Sequence, residues 1–131
     1  MEVEVELSKI IINETVDQQI IVLKELSGER SFPIVIGMSE ILAIDRRLKS
    51  IQLPRPMTHD LLADVINQLD AEIEKVVISD LSNGTFYARL HINTNGNTME
   101  VDSRPSDAIA LGVGVGAPIF VDEQVFEKMQ M

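Results

Sequence analysis

Two segments of the sequence combine an arginine–proline pair with hydroxyl and carboxylate side chains just before an apolar run. They read RPMTHD (residues 55–60) and DSRPSD (residues 102–107). An arginine beside the bare N–H groups of a helix start forms a phosphate-binding arrangement. His59, in the first segment, is of a residue type that exchanges protons near neutral pH and can act as a general acid or base. The two segments therefore point to chemistry on a phosphate group.

Part of each segment is explained by the need to start a helix. Thr58 is the expected N-cap of a helix over about 59–69, and Pro105 suits the first turn of another helix. Asp60 and Asp107 fall early in these helices, where the positive end of the helix dipole favours a carboxylate. The two arginines are not explained in this way, because a cation has the wrong sign for a helix N-terminus. For the histidine both explanations stay open.

Apolar periodicity predicts where the strands and helices lie. Predicted strands cover residues 2–7, 18–26, 31–37 and 117–121. Predicted helices cover residues 39–50, 59–69, a short segment from residue 105, and 122–131. The second helix places its apolar residues on one face, namely Leu61, Leu62, Val65, Ile66 and Leu69.

Two Asn-Gly pairs, at 83–84 and 95–96, divide residues 74–102 into three strand-like runs. Asn-Gly is the strongest short-range hairpin signal, because a type I′ turn needs positive φ at both of its central positions. We therefore expect a three-strand antiparallel meander. Together with the other elements it predicts an α+β fold, with a mostly antiparallel sheet and about four helices packed on it.

Two-residue turns also set the register of the meander. The register places Val77 opposite Leu90, on a face of apolar residues that we expect to be the core. The opposite face collects polar residues, among them Asp102 opposite Arg89. Two apolar residues fall on that polar face, Val76 and Ile78.

Composition and charge restrict the functions open to the chain. Its 131 residues suit one domain, taken as residues 1–131, and the absence of cysteine excludes disulfides and thiolate zinc sites. The net charge of −10 opposes non-specific binding to nucleic acid, whose affinity comes largely from Lys and Arg. The sequence shows no signal-peptide pattern and no apolar run long enough to span a bilayer, so we expect a cytoplasmic protein without membrane contact.

Four motifs in order carry a resemblance that covers the chain from its first strand to about residue 127. They are FPIVIG followed by Glu40, then RPMTHDLL, VVISDLSNGTFYARL and VDSRPSDAIALGVGVGAPIFVDEQV. In this order they resemble the bifunctional nuclease (BFN) domain family. The resemblance implies an α+β domain that is usually oligomeric, with a homodimer favoured, in a family whose members are reported to degrade both DNA and RNA.

Two functions follow as alternatives. In the first, the protein is a nuclease that hydrolyses phosphodiester bonds of DNA and RNA. We then assign catalysis to His59, as general acid or base, and to the carboxylates of Asp60, Asp102 and Asp107. We assign substrate binding to Arg55, Arg104 and Ser106. Mg²⁺ or Mn²⁺ on the carboxylates would reconcile an acidic protein with a polyanionic substrate. In the second, it is a non-catalytic oligomeric scaffold or an anion- or nucleotide-sensing module.

Overall fold

The computed structural model describes residues 1–129, which form seven strands and four helices. The strands are β1 (Glu2–Ile11), β2 (Gln18–Glu25), β3 (Ser31–Gly37), β4 (Ala71–Ser82), β5 (Thr85–Thr94), β6 (Asn97–Ser103) and β7 (Ile119–Asp122). The helices are α1 (Met38–Leu48), α2 (Thr58–Gln68), α3 (Pro105–Val115) and α4 (Glu123–Met129). The last two residues, predicted to continue the closing helix, lie outside the described residues.

All seven strands form one sheet, in the order β3-β2-β1-β7-β4-β5-β6. Neighbouring strands are antiparallel except β4 and β7, which run parallel. Strands β4 to β6 form the meander that the two Asn-Gly pairs predict, and β1 to β3 form a second one. The predicted fold class, α+β with a mostly antiparallel sheet and four helices, is confirmed.

Two β-bulges in β4 change the register predicted for the meander. Between Ile78 and Asp80 the pairing shifts by one residue, so Leu90 faces Val76 and not Val77. The predicted faces of β4 are therefore wrong for residues 75–78, because the extra residue turns these side chains to the other side of the sheet. The second bulge, between Ile73 and Lys75, returns Ile73 to the core side. Val76 and Ile78 are fully buried in the core, whereas Val77 lies among the polar residues of the opposite face.

The sheet curls so that its β3 edge approaches β5. Phe32 in β3 stacks on Phe86 in β5 with ring centroids 5.5 Å apart, and Phe126 in α4 meets Phe32 edge-on at 5.4 Å. Helices α1 and α3 pack against each other and share one continuous apolar core with the sheet. The curl brings the end of β3 and the β4–β5 turn next to the starts of α1 and α3, where they enclose a pocket.

Helix α2 begins one residue earlier than predicted, and its N-cap is different. Met57 occupies the N-cap position, so Thr58 is the first helical residue and its predicted capping role is wrong. The backbone N–H of Met57 instead donates to the carboxylate of Asp60, at 3.1 Å. A carboxylate in the third helical position can reach back to the N-cap in this way, which removes the need for a hydroxyl cap.

The apolar face of α2 is largely exposed. Ala63 and Ile66 point towards α3 and the start of β4. The stripe beside them is open to solvent and comprises Leu61, Leu62, Val65 and Leu69, the last 70% exposed. These four residues are called the α2 stripe below. Within residues 1–129, no helix is long and apolar enough to cross a membrane.

Candidate active site

The first turns of three helices meet, and four side chains connect them. Arg104, the N-cap residue of α3, donates from Nε to Oδ2 of Asp107 at 2.9 Å. The other carboxylate oxygen of Asp107 lies 2.8 Å from Nε2 of His59, near the start of α2. Nη1 of Arg104 lies 3.7 Å from Oε1 of Glu40, in the first turn of α1. These four residues are called the junction cluster below.

Asp107 stands at the centre of the junction cluster and is held in its ionised form. Partial burial opposes the charge, but hydrogen bonds from Arg104 and His59 outweigh it and keep the pKa of the Asp107 carboxyl below its ordinary value. The hydrogen bond to Asp107 in turn raises the pKa of the Arg104 guanidinium. The cluster therefore presents a fixed carboxylate between a permanent cation and an imidazole.

The Asp107 carboxylate orients the imidazole of His59. When the neutral ring donates its Nε2 hydrogen to Asp107, Nδ1 is left as an acceptor. The His59 side chain is 18% exposed, so the ring keeps some contact with solvent. It can accept a proton from a water molecule at Nδ1 while the carboxylate stabilises the charge that forms.

A pocket of about 570 Å³ lies between α1 and α3, next to Arg104. The start of each helix forms part of its wall, and neither start has a side-chain cap. The unpaired N–H groups of a helix start carry the positive end of the helix dipole. The lining includes the helix-start residues Gly37, Met38, Ser39, Glu40, Arg104, Pro105 and Ser106. The wall is completed by Asp17, the end of β3 and residues 84–86 of the β4–β5 turn, which include Phe86. The volume lies within the range of small-molecule sites.

Asp60 is close to this site but has a structural partner. Its Oδ1 accepts from Nη1 of Arg47 at 2.7 Å, and Arg47 also donates from Nε to the carbonyl of Ala110 at 2.6 Å. Arg47 thus ties the end of α1 to the start of α2 and to α3. Burial opposes the charge of Asp60, but the hydrogen bonds from Arg47 and from the backbone of Met57 outweigh it, so the pKa of the carboxyl lies below its ordinary value.

The structure brings together some of the predicted site residues and separates others. His59, Asp107 and Arg104 meet in the junction cluster, and Ser106 lines the adjacent pocket. Arg55 lies in the exposed segment between α1 and α2, apart from this cluster and the pocket lining. Asp102 lies in β6 opposite Arg89, as the register predicts, and is exposed.

The carboxylates predicted as metal ligands do not converge. Asp60 is bound to Arg47, Asp107 to Arg104 and His59, and Asp102 lies on a separate strand. Among residues 1–129, no group of three or more His, Cys, Asp or Glu side chains is arranged to hold a metal ion. The predicted donor set therefore does not fit a divalent ion, because such ions need several oxygen ligands at one point.

Glu40 is the member of the junction cluster to which the sequence assigned no role. It sits in the first turn of α1, where an acidic residue is ordinarily explained by the helix dipole. Its carboxylate lies over Gly37, and a Cβ at that position would overlap it. The glycine before the helix was the available signal, because it leaves space for a side chain that folds back towards Arg104.

The fold and the site define an α+β domain with an imidazole–carboxylate–guanidinium group at three helix starts. The family described as "Bifunctional nuclease domain" matches residues 21–131. The chain belongs to this bifunctional nuclease domain family, which confirms the resemblance.

Similar proteins occur in bacteria and plants. An uncharacterised protein of Mycobacterium tuberculosis is 41% identical over 125 residues, which cover 95% of this chain and 74% of that protein. Bifunctional nuclease 1 of Oryza sativa subsp. japonica is 27% identical over 109 residues, 80% of this chain and 33% of the plant protein. Bifunctional nuclease 2 of Arabidopsis thaliana is 26% identical over 93 residues, 69% of this chain and 28% of the plant protein. The chain thus spans about a third of these plant proteins.

Proposed function

We propose that this protein is a nuclease that hydrolyses phosphodiester bonds of DNA and RNA at the junction cluster. The observation that carries the proposal is the 2.8 Å contact between His59 Nε2 and Asp107 Oδ1, with Arg104 on the same carboxylate. Membership of the bifunctional nuclease domain family and the names of the plant relatives support it.

The side chains of the cluster supply what phosphodiester hydrolysis needs. The reaction requires charge stabilisation on the phosphate, an activated water and a proton for the leaving oxygen. Arg104 binds Asp107 through Nε and Nη2. Its Nη1 lies 3.7 Å from Oε1 of Glu40, which is beyond hydrogen-bond length, so the N–H groups of Nη1 can donate to a phosphate oxygen. His59 takes a proton from the attacking water and returns it to the leaving oxygen. Asp107 keeps the imidazole in one orientation and stabilises it while it is charged.

The local field of the cluster offsets the acidity of the whole protein. A net charge of −10 repels a nucleic acid at long range. The starts of α1, α2 and α3 meet at the cluster, and each contributes about half a positive charge. Arg104 adds a full positive charge at the same point, whereas the carboxylates of Asp107 and Glu40 each add a negative one, so the local sum is only slightly positive. Salt screens the long-range repulsion more than these short contacts, so we expect moderate ionic strength to favour substrate binding.

Cleavage of single-stranded DNA and RNA by the purified protein tests the proposal. The assay is run with Mg²⁺, with Mn²⁺ and with a chelator, and it compares the wild type with His59→Ala and His91→Ala. His91 is a matched control, because it lies in β5 and lines the polar pocket on the other face of the sheet. We expect His59→Ala alone to abolish most of the cleavage. Equal activity in all three proteins, or none in the wild type, would refute the proposal.

We propose that the protein works as a homodimer joined through the α2 stripe. A folded monomer of 14.6 kDa is expected to expose about 6,900 Å². This chain exposes 7814 Å², and the excess of about 900 Å² is close to the roughly 800 Å² that each partner buries in a standard interface. The four residues of the α2 stripe carry no charge, so the centre of the contact is apolar, and the exposed carboxylates of Asp64 and Asp70 lie beside it.

Sedimentation velocity tests the homodimer. We expect the wild type to sediment with twice the mass of 14.6 kDa and a Leu61→Glu, Leu69→Glu variant to sediment as a monomer. Leu26→Glu is the matched control, because Leu26 is a comparably exposed leucine outside α2. A monomeric wild type at micromolar concentration would overturn the proposal, as would dissociation caused equally by the control.

We also propose that the protein acts in the cytoplasm. The sequence contains no cysteine, which suits a reducing compartment. Fractionation of cells expressing the chain, followed by immunodetection, would test this location.

A further inference from the structure

The pocket between α1 and α3 has features that the proposed nuclease chemistry does not use. The uncapped starts of two eleven-residue helices form parts of one wall. The proposed cleavage steps use Arg104, which lines one side of the pocket, together with His59 and Asp107, which lie outside its lining. The whole pocket measures about 570 Å³, and the part away from Arg104, with an aromatic ring and apolar strand residues in its lining, has no assigned role.

Ser106 provides an independent indication of a ligand. The residue is only 5% exposed, it lines this pocket, and its hydroxyl has no hydrogen-bond partner among residues 1–129. Within the same part of the chain, every fully buried side-chain nitrogen or oxygen has a partner. The small accessible surface of Ser106 must therefore include its hydroxyl oxygen, and the residue lies in the lining of this pocket. An unpaired hydroxyl at a helix start is a donor left available for a bound acceptor.

We propose that this pocket binds a mononucleotide unit through its phosphate, either as a free nucleoside monophosphate or as the phosphorylated end of a strand. The phosphate receives hydrogen bonds from the Ser106 hydroxyl, from the free N–H groups at the start of α3 and from Arg104. The proposal deepens the nuclease function, since it names a subsite for substrate or product beside the cleavage point.

The other side chains of the pocket select the rest of the ligand. Glu40 and Asp17 line it as well, and carboxylates accept hydrogen bonds but repel a second anion. These carboxylates repel the phosphate of either ligand alike, but only a nucleoside monophosphate also carries hydroxyl and amino groups that can donate hydrogen bonds to them. Phe86 offers an aromatic surface for a base, and its ring is fixed by stacking on Phe32.

Titration followed by amide NMR shifts tests this pocket without requiring any cleavage. The probes are 5′-adenosine monophosphate, adenosine, inorganic phosphate and a hexathymidine strand with and without a 5′-phosphate. We expect the monophosphate to shift the amides of the α1 and α3 starts and to bind more tightly than adenosine or inorganic phosphate. Binding of the phosphorylated strand as well would identify the strand end as the source, and binding of the monophosphate alone would identify the free nucleotide.

Ser106→Ala should weaken binding of the monophosphate about tenfold, because a hydrogen bond to a charged group contributes on that order. Ser79→Ala is the matched control, since Ser79 lies on the opposite side of the sheet. Equal affinity for the monophosphate and adenosine in the wild type would overturn the proposal even if Ser106→Ala failed to fold. Cleavage without monophosphate binding would refute only the proposed mononucleotide site. Monophosphate binding without cleavage would refute only the proposed nuclease function.

Discussion

Asp107→Asn removes one negative charge from the point where three helix starts meet and keeps the shape of the side chain. In the wild type the carboxylate holds Nε2 of His59 at 2.8 Å and Nε of Arg104 at 2.9 Å. An amide in its place can accept a hydrogen bond only through its carbonyl oxygen, so one of the two donors faces an NH₂ group that is itself a donor. The neutral amide also no longer stabilises a protonated imidazole. General acid–base catalysis contributes about 10²–10⁴-fold, so we expect cleavage to fall at least about 100-fold.

The same substitution should cost little folding stability. The partly buried hydrogen bond to His59 contributes about 1 kcal/mol to the free energy of unfolding. The pair with Arg104 is exposed and contributes about 0.5 kcal/mol. The total of about 1.5 kcal/mol corresponds to a fall in Tm of about 5 °C. Activity and stability should therefore separate clearly in this variant.

Initial cleavage rates on single-stranded RNA, measured well below the Tm of each protein, provide the assay. Asp64→Asn is the matched control, because Asp64 is an exposed aspartate on α2 without a salt bridge among residues 1–129. We expect it to cleave at the wild-type rate. A folded Asp107→Asn protein that cleaves as fast as the wild type, or an equal loss in Asp64→Asn, would refute the assigned role of the carboxylate.

Three further predictions concern stability. Arg47→Met should lower the free energy of unfolding by about 3 kcal/mol in urea denaturation, because the Arg47 side chain is only 11% exposed and its removal leaves Asp60 without its cation. Gly112→Ala should destabilise the fold by about 1–3 kcal/mol, because its Cβ would lie 2.7 Å from a methyl group of the fully buried Val76. The pKa of Asp107 is lower in the folded protein than its ordinary value of 3.8. Its charge therefore stabilises the fold fully above pH 3.8, and this stabilisation is lost as the pH falls through the pKa of the folded state. Acid unfolding below pH 3.8 should therefore be shallower in Asp107→Asn than in the wild type.

Local signals predicted the elements that depend on few residues. Asn83 and Gly84 have φ values of 52° and 78°, and Asn95 and Gly96 have 53° and 81°, as type I′ turns require. These turns predicted the β4–β6 meander from sequence alone. The β4 bulge was not predictable, because it depends on how Val76 and Ile78 fit the core and leaves no composition signal.

The sequence predicted which residues form the candidate site better than it predicted which of their side chains contact each other. His59, Asp107 and Arg104 are together, but the resulting contact joins the starts of α2 and α3 through one carboxylate. Asp60 resembles Asp107 in sequence, since both fall early in a helix after an arginine–proline pair. Only the packing of α1 shows that Arg47 binds Asp60 and leaves Asp107 to the histidine. Such pairings over long sequence separation are set by tertiary packing, which local patterns do not encode.

A double-mutant cycle on cleavage tests most directly whether His59 and Asp107 act as one unit. Cleavage rates of the wild type, His59→Ala, Asp107→Asn and the double variant are measured on the same RNA. If the carboxylate acts through the imidazole, the double variant is no slower than His59→Ala, because effects of residues that work as a unit are not additive. Losses that multiply in the double variant would show that the two side chains act separately and would contradict the assignment of the site.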